Sequence, residues 1–109
     1  MLIVSLDDFY EKVAKMERLS REEERECAIR MQAGDMEARQ KLINSYLPIV
    51  AYRLKRHTGR LRTMGLAIYY IQATEKAVDS FDFLQDSETF SHRLNWYLRN
   101  AFVAYLVKS

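Results

Sequence analysis

Residues that interrupt regular structure are scarce in this sequence. Its 109 residues include three glycines, one proline and one cysteine, while 49% are hydrophobic and 29% are charged. This balance favours a folded helical protein over a sheet-rich or disordered one. The length suits one domain with one hydrophobic core, spanning 1–109. We therefore expect an all-α fold.

Cysteine and histidine are equally few. Cys27 is the only cysteine and cannot form an internal disulfide, so we expect it to be a small core-side residue. The two histidines, His57 and His92, add no cluster with the spacing of metal ligands. The sequence predicts no bound metal.

Long apolar runs and catalytic motifs are also missing. The first apolar run, Leu2–Val4, is followed by Ser5, Asp7 and Asp8, which excludes it as a signal-peptide core or a membrane span. The sequence has no glycine-rich phosphate loop and no nucleophile paired with a base. We expect a cytoplasmic, non-enzymatic protein that needs no cofactor and does not contact a membrane.

The sequence does contain a series of helix-capping signals. Ser20 and Glu23 have the spacing of a capping box, Ser5 can cap an earlier helix, and Gly34 followed by Asp35 can end one helix and start the next. Together with the apolar periodicity, these signals predict a compact bundle of about five helices: Ser5 to near Leu19, Ser20 to about Ala33, about 36 into the fifties, about 64–81, and from between Asp86 and Ser91 almost to the C-terminus.

Charge is unevenly distributed behind a formal net charge of +2. Residues 1–50 hold eight Lys and Arg against ten Asp and Glu, a net charge of −2. Residues 51–109 hold nine against five, a net charge of +4. The second half is therefore the better candidate for contact with a polyanion.

The fifth predicted helix has two distinct faces on a wheel of about 100° per residue. One arc is apolar and forms the expected core stripe: Phe90, Leu94, Leu98, Ala101, Phe102 and Tyr105. The opposite arc is polar and cationic around one tryptophan: His92, Arg93, Asn95, Trp96, Arg99 and Asn100, with Tyr97 at its edge and Val103 as the apolar exception.

Two interpretations of this polar arc are open. Trp96 can pack against a neighbouring helix while the arginines are merely solvated. Alternatively, the arc binds nucleic acid, because an aromatic ring stacks on unpaired bases and arginines neutralise adjacent phosphates. A second basic cluster brackets the loop after the third helix: Arg53, Lys55, Arg56, His57, Arg60 and Arg62. Alone it is typical of a solvated helix end, but the two clusters together favour polyanion binding.

Two ordered groups of motifs resemble the housekeeping-type family of bacterial RNA polymerase sigma factors. The first is similar to the segment that joins region one-point-two of the family to region two: Leu19-Ser20-Arg21-Glu22-Glu23-Glu24, Gly34-Asp35, Ala38-Arg39, Leu42-Ile43 and Leu47 through Val50. The second is similar to the promoter-melting helix: Lys76-Ala77-Val78-Asp79-Ser80-Phe81-Asp82-Phe83, Phe90-Ser91 and Trp96-Tyr97-Leu98-Arg99-Asn100-Ala101-Phe102. The resemblance covers nearly the whole chain. It implies a bundle like sigma domain two, with region-one-point-two-like helices in 1–33 and region-two-like helices in 34–109.

The resemblance also implies roles for side chains of the fifth helix. Trp96 and Tyr97 occupy the positions of an aromatic pair that wedges the upstream edge of the melted minus-ten element, and Asn100 matches a position that reads the adjacent base pair. The path of the non-template strand would be lined by Phe90, Ser91 and Asn95. The implied partners are promoter DNA, as the non-template single strand, and the RNA polymerase core or a second sigma-like chain.

The sequence departs from the family pattern at two places. Arg93 stands where the family usually has a tyrosine that stacks beside the flipped adenine, although a guanidinium plane can also stack on a base. Gly65–Ala73 is mostly apolar where the family has an acidic stretch that grips the polymerase. A helix so apolar at its start implies burial on more than one side. Alternatively, Leu66, Tyr69 and Tyr70 form an exposed surface that binds a protein partner or a second copy of the chain.

Two functions follow from these observations. The first is a sigma-like transcription initiation module that recognises and helps melt the minus-ten element. Because the family continues beyond the equivalent of Ser109, this module would act either as one chain of a split sigma factor or as part of a longer factor. The second is a protein-interaction regulator that keeps the sigma fold without promoter melting. Labelled single-stranded DNA separates the two, since the regulator should not bind it.

Overall fold

Helices make up the regular structure of the residues that a computed structural model describes, 3–84 and 89–108. There are five of them: α1 (Leu6–Ala14), α2 (Arg21–Gln32), α3 (Met36–Lys55), α4 (Met64–Ser80) and α5 (Phe90–Lys108). The prediction of an all-α fold with five helices is confirmed. The last helix begins inside its predicted window, whose first residue, Asp86, lies outside the described residues.

Side-chain caps determine where the first two helices begin. Ser5 Oγ accepts a hydrogen bond from the Asp8 amide at 3.1 Å. In the capping box, Ser20 Oγ accepts from the Glu23 amide at 3.1 Å, and Glu23 Oε1 accepts from the Ser20 amide at 2.9 Å. These bonds satisfy amides that have no partner within the first turn of a helix. Both predicted N-termini are confirmed.

The first helix ends earlier than predicted. The sequence predicts a helix to near Leu19, whereas α1 ends at Ala14, with Lys15 as its C-cap. Ser20 adopts an extended backbone (φ −69°, ψ 165°) in order to cap α2, and the chain leaves the α1 helix before it reaches that conformation. Met16 still packs against the core from this connecting segment.

The turn between α2 and α3 depends on Gly34. Its φ is +96°, a left-handed conformation that glycine adopts without the steric penalty that a Cβ imposes. Asp35 follows as the N-cap of α3, and its Oδ1 accepts hydrogen bonds from the amides of Glu37 (3.0 Å) and Ala38 (3.2 Å). The predicted pair of C-terminal glycine and N-cap aspartate is confirmed.

The central helix of the bundle is α3, which packs against α1, α2 and α4, while α4 also packs against α5. Leu42, Ile43, Val50 and Leu54 on α3 are each at most 1% exposed. Cys27 on α2 is also buried, as expected of a core-side residue. Because α5 packs mainly on α4, its opposite face is turned to solvent.

The apolar start of α4 belongs to the core. Leu66 and Tyr70 are 0% and 1% exposed, so the prediction that they form a partner-binding surface is wrong. The physical reason is that α4 packs against both α3 and α5 and needs apolar side chains on two faces. Tyr69 is half-buried, and its ring meets the Tyr105 ring edge-on at 5.4 Å. Despite the apolar character of α4, no described helix has the length and hydropathy to cross a membrane.

An ion pair joins α3 to α4. Arg39 donates two hydrogen bonds to the Asp79 carboxylate, Nε to Oδ1 at 2.7 Å and Nη2 to Oδ2 at 2.9 Å. These bonds hold the pKa of Asp79 below its ordinary value of 3.8, with burial acting in the opposite direction. The pair was not foreseen, because the two residues lie 40 positions apart.

Asp79→Asn should lower the free energy of unfolding at pH 7 by at most about 1 kcal/mol, because the carboxylate is half exposed and screened by solvent. A depressed pKa in the folded state stabilises the protein above the ordinary pKa, and this stabilisation is lost as pH falls through the folded value. The difference between variant and wild type in urea denaturation should therefore shrink below about pH 3.8. Glu26→Gln, exposed on α2, is the control. A difference that does not change with pH would contradict the ion-pair explanation.

Candidate nucleic-acid interface

The exposed face of α5 carries the side chains that the helical wheel predicted. Phe90, Leu94 and Leu98 are buried, and the opposite face presents Trp96, which is 56% exposed. Most of the neighbours of Trp96 on that face are also exposed: His92, Asn95, Arg99 and Asn100. The alternative in which Trp96 packs into a neighbouring helix does not fit a side chain with more than half of its surface in solvent. The geometry allows a ligand to reach the indole.

Tyr97 supports Trp96 from the edge of this face. The two rings meet edge to face, with centroids 5.0 Å apart and planes at 82°. The Tyr97 hydroxyl lies 2.9 Å from Ser80 Oγ at the end of α4, within hydrogen-bond distance. Tyr97 is therefore half-buried and tethered, while Trp96 presents its ring outward. An edge-to-face pair of this kind restricts the orientation of both rings.

Two polar side chains flank this aromatic pair. Asn100 Nδ2 donates a hydrogen bond to the Trp96 carbonyl oxygen at 2.7 Å, so the amide is already oriented by its own helix. Arg93 is partly buried, and its guanidinium carbon lies 5.7 Å from the centre of the Phe81 ring. Together with His92, Arg93 borders a shallow depression beside Trp96 and Tyr97. A flat ligand placed there would contact aromatic and cationic groups at once.

The predicted position of Phe90 on the path of a DNA strand is wrong. Its side chain is 4% exposed and belongs to an aromatic cluster, with ring centroids 4.4 Å from Tyr46 and 5.0 Å from Phe83. These contacts anchor the first turn of α5 to the bundle, so the ring is not available for stacking. Ser91, next to it, is exposed and keeps the position that the sequence predicts.

The second basic cluster divides between two sides of the molecule. Arg53 Nη1 donates a hydrogen bond to Asn95 Oδ1 on α5 at 2.9 Å, and Arg56 and His57 border the same groove as Arg99. These side chains at the C-terminal end of α3 and just after it therefore extend the α5 face.

Lys55 and Arg62 instead lie towards α1. Lys55 Nζ lies 4.6 Å from the centre of the Tyr10 ring, and Arg62 Nη1 donates a long hydrogen bond to the Lys55 carbonyl (3.4 Å). Arg60 is exposed in the connecting loop. Of the second basic cluster, Arg53 and Arg56 therefore lie beside the α5 face, whereas Lys55 and Arg62 lie on the side of α1.

Sequence reasoning missed how closely His57 is tied to the bundle. Its Nε2 lies 2.7 Å from the Tyr70 hydroxyl, and its ring stacks on Phe102 with centroids 4.8 Å apart. Burial, and next the charge of Arg53, lower the pKa of His57 below its ordinary 6.5, so the imidazole is neutral at pH 7. The i, i+4 spacing of Arg53 and His57 indicates from the sequence that the two residues share one helical face. The sequence does not indicate which helices His57 contacts. None of the described residues form a group of three potential metal ligands.

Comparison with known proteins agrees with the motifs. The chain is 33% identical over 103 residues to RNA polymerase sigma factor SigA of Clostridium acetobutylicum, covering 90% of this chain and 27% of that protein. It is 31% identical over 94 residues to SigA of Listeria monocytogenes and of Listeria innocua, covering 85% of this chain and 25% of each relative. The chain thus spans about a quarter of the length of these curated relatives. No family model matches the chain, and no solved structure matches it significantly. The predicted resemblance is confirmed: over nearly all of its length, the chain is similar to one segment of the housekeeping-type sigma factors.

Proposed function

We propose that this protein is a non-enzymatic, sigma-like transcription initiation module that binds the single-stranded minus-ten element of a promoter together with RNA polymerase. The observation that carries the proposal is Trp96. It is a largely exposed indole surrounded by cationic and amide side chains, at the position where the family motif has its wedging aromatic. The similarity to SigA supports the same assignment.

In this proposal, different side chains of α5 contact the bases and the phosphates of the strand. Trp96 offers a flat face for an unpaired base, which a paired base in a duplex cannot reach. Tyr97, held by Ser80, closes one side of that position. Arg99 is exposed one turn along the helix from Asn95 and neutralises a phosphate of the same strand. Arg93 lies beside the Phe81 ring. It stands where the family usually has a tyrosine, and its planar guanidinium can also stack on a base.

Polymerase contact in this proposal involves few of the apolar residues of 65–73. Leu66, Ala67, Tyr70 and Ala73 are buried, so the departure from the acidic family pattern mostly concerns the core. Ile68, 45% exposed, is the one large hydrophobic residue of 65–73 that is exposed to a partner. The partner is the polymerase core, bound directly or through a second sigma-like chain.

A regulator that retains the fold is the second candidate, and one observation favours it. A partly apolar groove between α3 and α4 is bordered by Ile43, Leu47, Met64, Ile68 and Ile71, together with the polar residues Gln40, Gln72 and Glu75. A helix from another protein could occupy such a groove. This candidate differs from the first in that it binds no promoter strand.

The proposal is tested by titrating a labelled non-template strand of minus-ten type, and the same sequence as a duplex, with the protein alone and with host core polymerase. We expect tighter binding of the single strand in at least one of these conditions. Equal or weaker binding of the single strand in both would favour the regulator.

Arg99→Ala should weaken binding of every strand alike and reduce the slope of log affinity against log salt by about one unit, as expected for one lost phosphate contact. Lys108→Ala removes the same charge from the far end of α5 and should leave the slope unchanged. A salt slope that is the same for Arg99→Ala and wild type would remove Arg99 from the phosphate path.

A further inference from the structure

We propose that the groove between α3 and α5 is a second nucleotide-binding position, in which Tyr52 stacks a base while Arg53, Arg56 and Arg99 hold the adjacent phosphates. Its occupant is a further part of the single strand that lies on Trp96, so this proposal rests on the proposed function. The groove begins beside Trp96, because Asn95 and Arg99 on α5 form one of its walls.

Charge is the first support for this site. Three arginines border the groove, Arg53 on α3, Arg56 at the C-cap of α3 and Arg99 on α5, and none of the described residues that border it is acidic. Cations gathered without a counter-charge attract a polyanion and repel one another when the groove is empty. The cavity volume of about 510 Å³ lies within the range of roughly 300–1,000 Å³ usual for small-molecule sites, which is large enough for one nucleotide.

Tyr52 is the second support. It lies in the last turn of α3 and is 66% exposed, although it is a large aromatic side chain. The Arg56 guanidinium carbon lies 5.9 Å from the centre of its ring, a cation–π distance. An exposed ring with an arginine beside it is the combination that binds single strands without sequence preference, since every base has a face to stack.

The groove is also held in shape before any ligand arrives. Asn95 Oδ1 accepts the hydrogen bond from Arg53, which places that guanidinium over the α5 wall. Behind it, His57 is fixed between Phe102 and the Tyr70 hydroxyl. A preorganised site loses less conformational entropy when a ligand binds.

An acidic peptide is the competing occupant, and the chemistry separates the two. A chain of carboxylates would use the three arginines but gain nothing from the ring of Tyr52. A nucleic-acid strand uses both. The Tyr52 ring is therefore the group whose removal distinguishes them.

The experiment titrates labelled oligothymidine, about sixteen nucleotides long to cover both positions, with the full chain, alone and with core polymerase. Tyr52→Ala should lower affinity about 5- to 150-fold, the equivalent of one lost stacked base, while Tyr52→Phe should retain it. Met36→Ala is the matched control, because Met36 lies on the same helix and is 65% exposed. Circular dichroism establishes that each variant is folded.

Comparison with Trp96→Ala separates this proposal from the proposed function. If Trp96→Ala weakens binding and Tyr52→Ala does not, the groove site is wrong and the proposed function stands. If only Tyr52→Ala weakens binding, the groove binds nucleic acid and the assignment of α5 fails. No binding of wild type in either condition overturns both. Displacement of the strand by polyglutamate, with no effect of Tyr52→Ala, would assign the groove to an acidic peptide.

Discussion

Tyr70→Glu should unfold this protein. Tyr70 is 1% exposed, its hydroxyl is paired with His57 at 2.7 Å, and its ring lies within the core. A glutamate there puts a charged carboxylate in place of a ring that packs in the core, and it removes the hydroxyl that pairs with His57. Such losses reach several kcal/mol, a large part of the roughly 5–15 kcal/mol that holds a typical domain together.

Ile68→Glu is the control for this experiment, two residues away on the same helix and 45% exposed. Its effect should stay within about 0.5 kcal/mol, as is usual for surface substitutions. Far-UV circular dichroism and thermal melting measure both variants. A cooperative melt for Tyr70→Glu close to that of wild type would mean that α4 does not lie between α3 and α5.

Trp96→Ala should have a large effect on binding and little effect on folding. The indole is 56% exposed and contacts Tyr97 edge to face, so its removal leaves no cavity in the core. If it stacks one base, affinity for the single strand should fall by about 1–3 kcal/mol. Val107→Ala removes apolar surface from the same helix at a side chain that is 80% exposed, and should leave affinity unchanged.

Local signals predicted the starts of the first three helices, whereas the end of the first helix was placed five residues too late. Ser5, Ser20 and Asp35 all cap the helices that they were expected to cap, because a cap is a contact within three residues of the chain. The end of α1 was placed too late, since the apolar periodicity continues to Met16 although the backbone does not.

Two errors have a common origin. Helical periodicity indicated burial both for Phe90 and for the start of α4. The family resemblance instead placed Phe90 on the path of the DNA strand. The departure from the family pattern at the start of α4 suggested a partner surface there. The structure buries Phe90, Leu66 and Tyr70. A side chain that the bundle needs for packing is not available to a ligand, whatever the motif around it.

The contacts that no single-helix pattern could predict are those between distant helices. Arg53 and Asn95 are 42 residues apart, and each lies on a recognisable polar face of its own helix. Which faces meet depends on how α3 and α5 are placed around α4, and that placement is set by packing of the whole core. The surface that Arg53 on α3 forms with the polar face of α5 therefore depends on the fold, although the polar face of each helix was visible in the sequence.

The central claim is that Trp96 stacks on an unpaired base of the promoter strand. The most direct measurement is a fluorescence anisotropy titration of a labelled non-template minus-ten strand, in the presence of core polymerase, with wild type and with folded Trp96→Ala. We predict that the variant binds about 5- to 150-fold more weakly, the equivalent of one stacked base. Equal affinity of the two proteins for that strand would contradict the assignment of α5 as the promoter-melting helix.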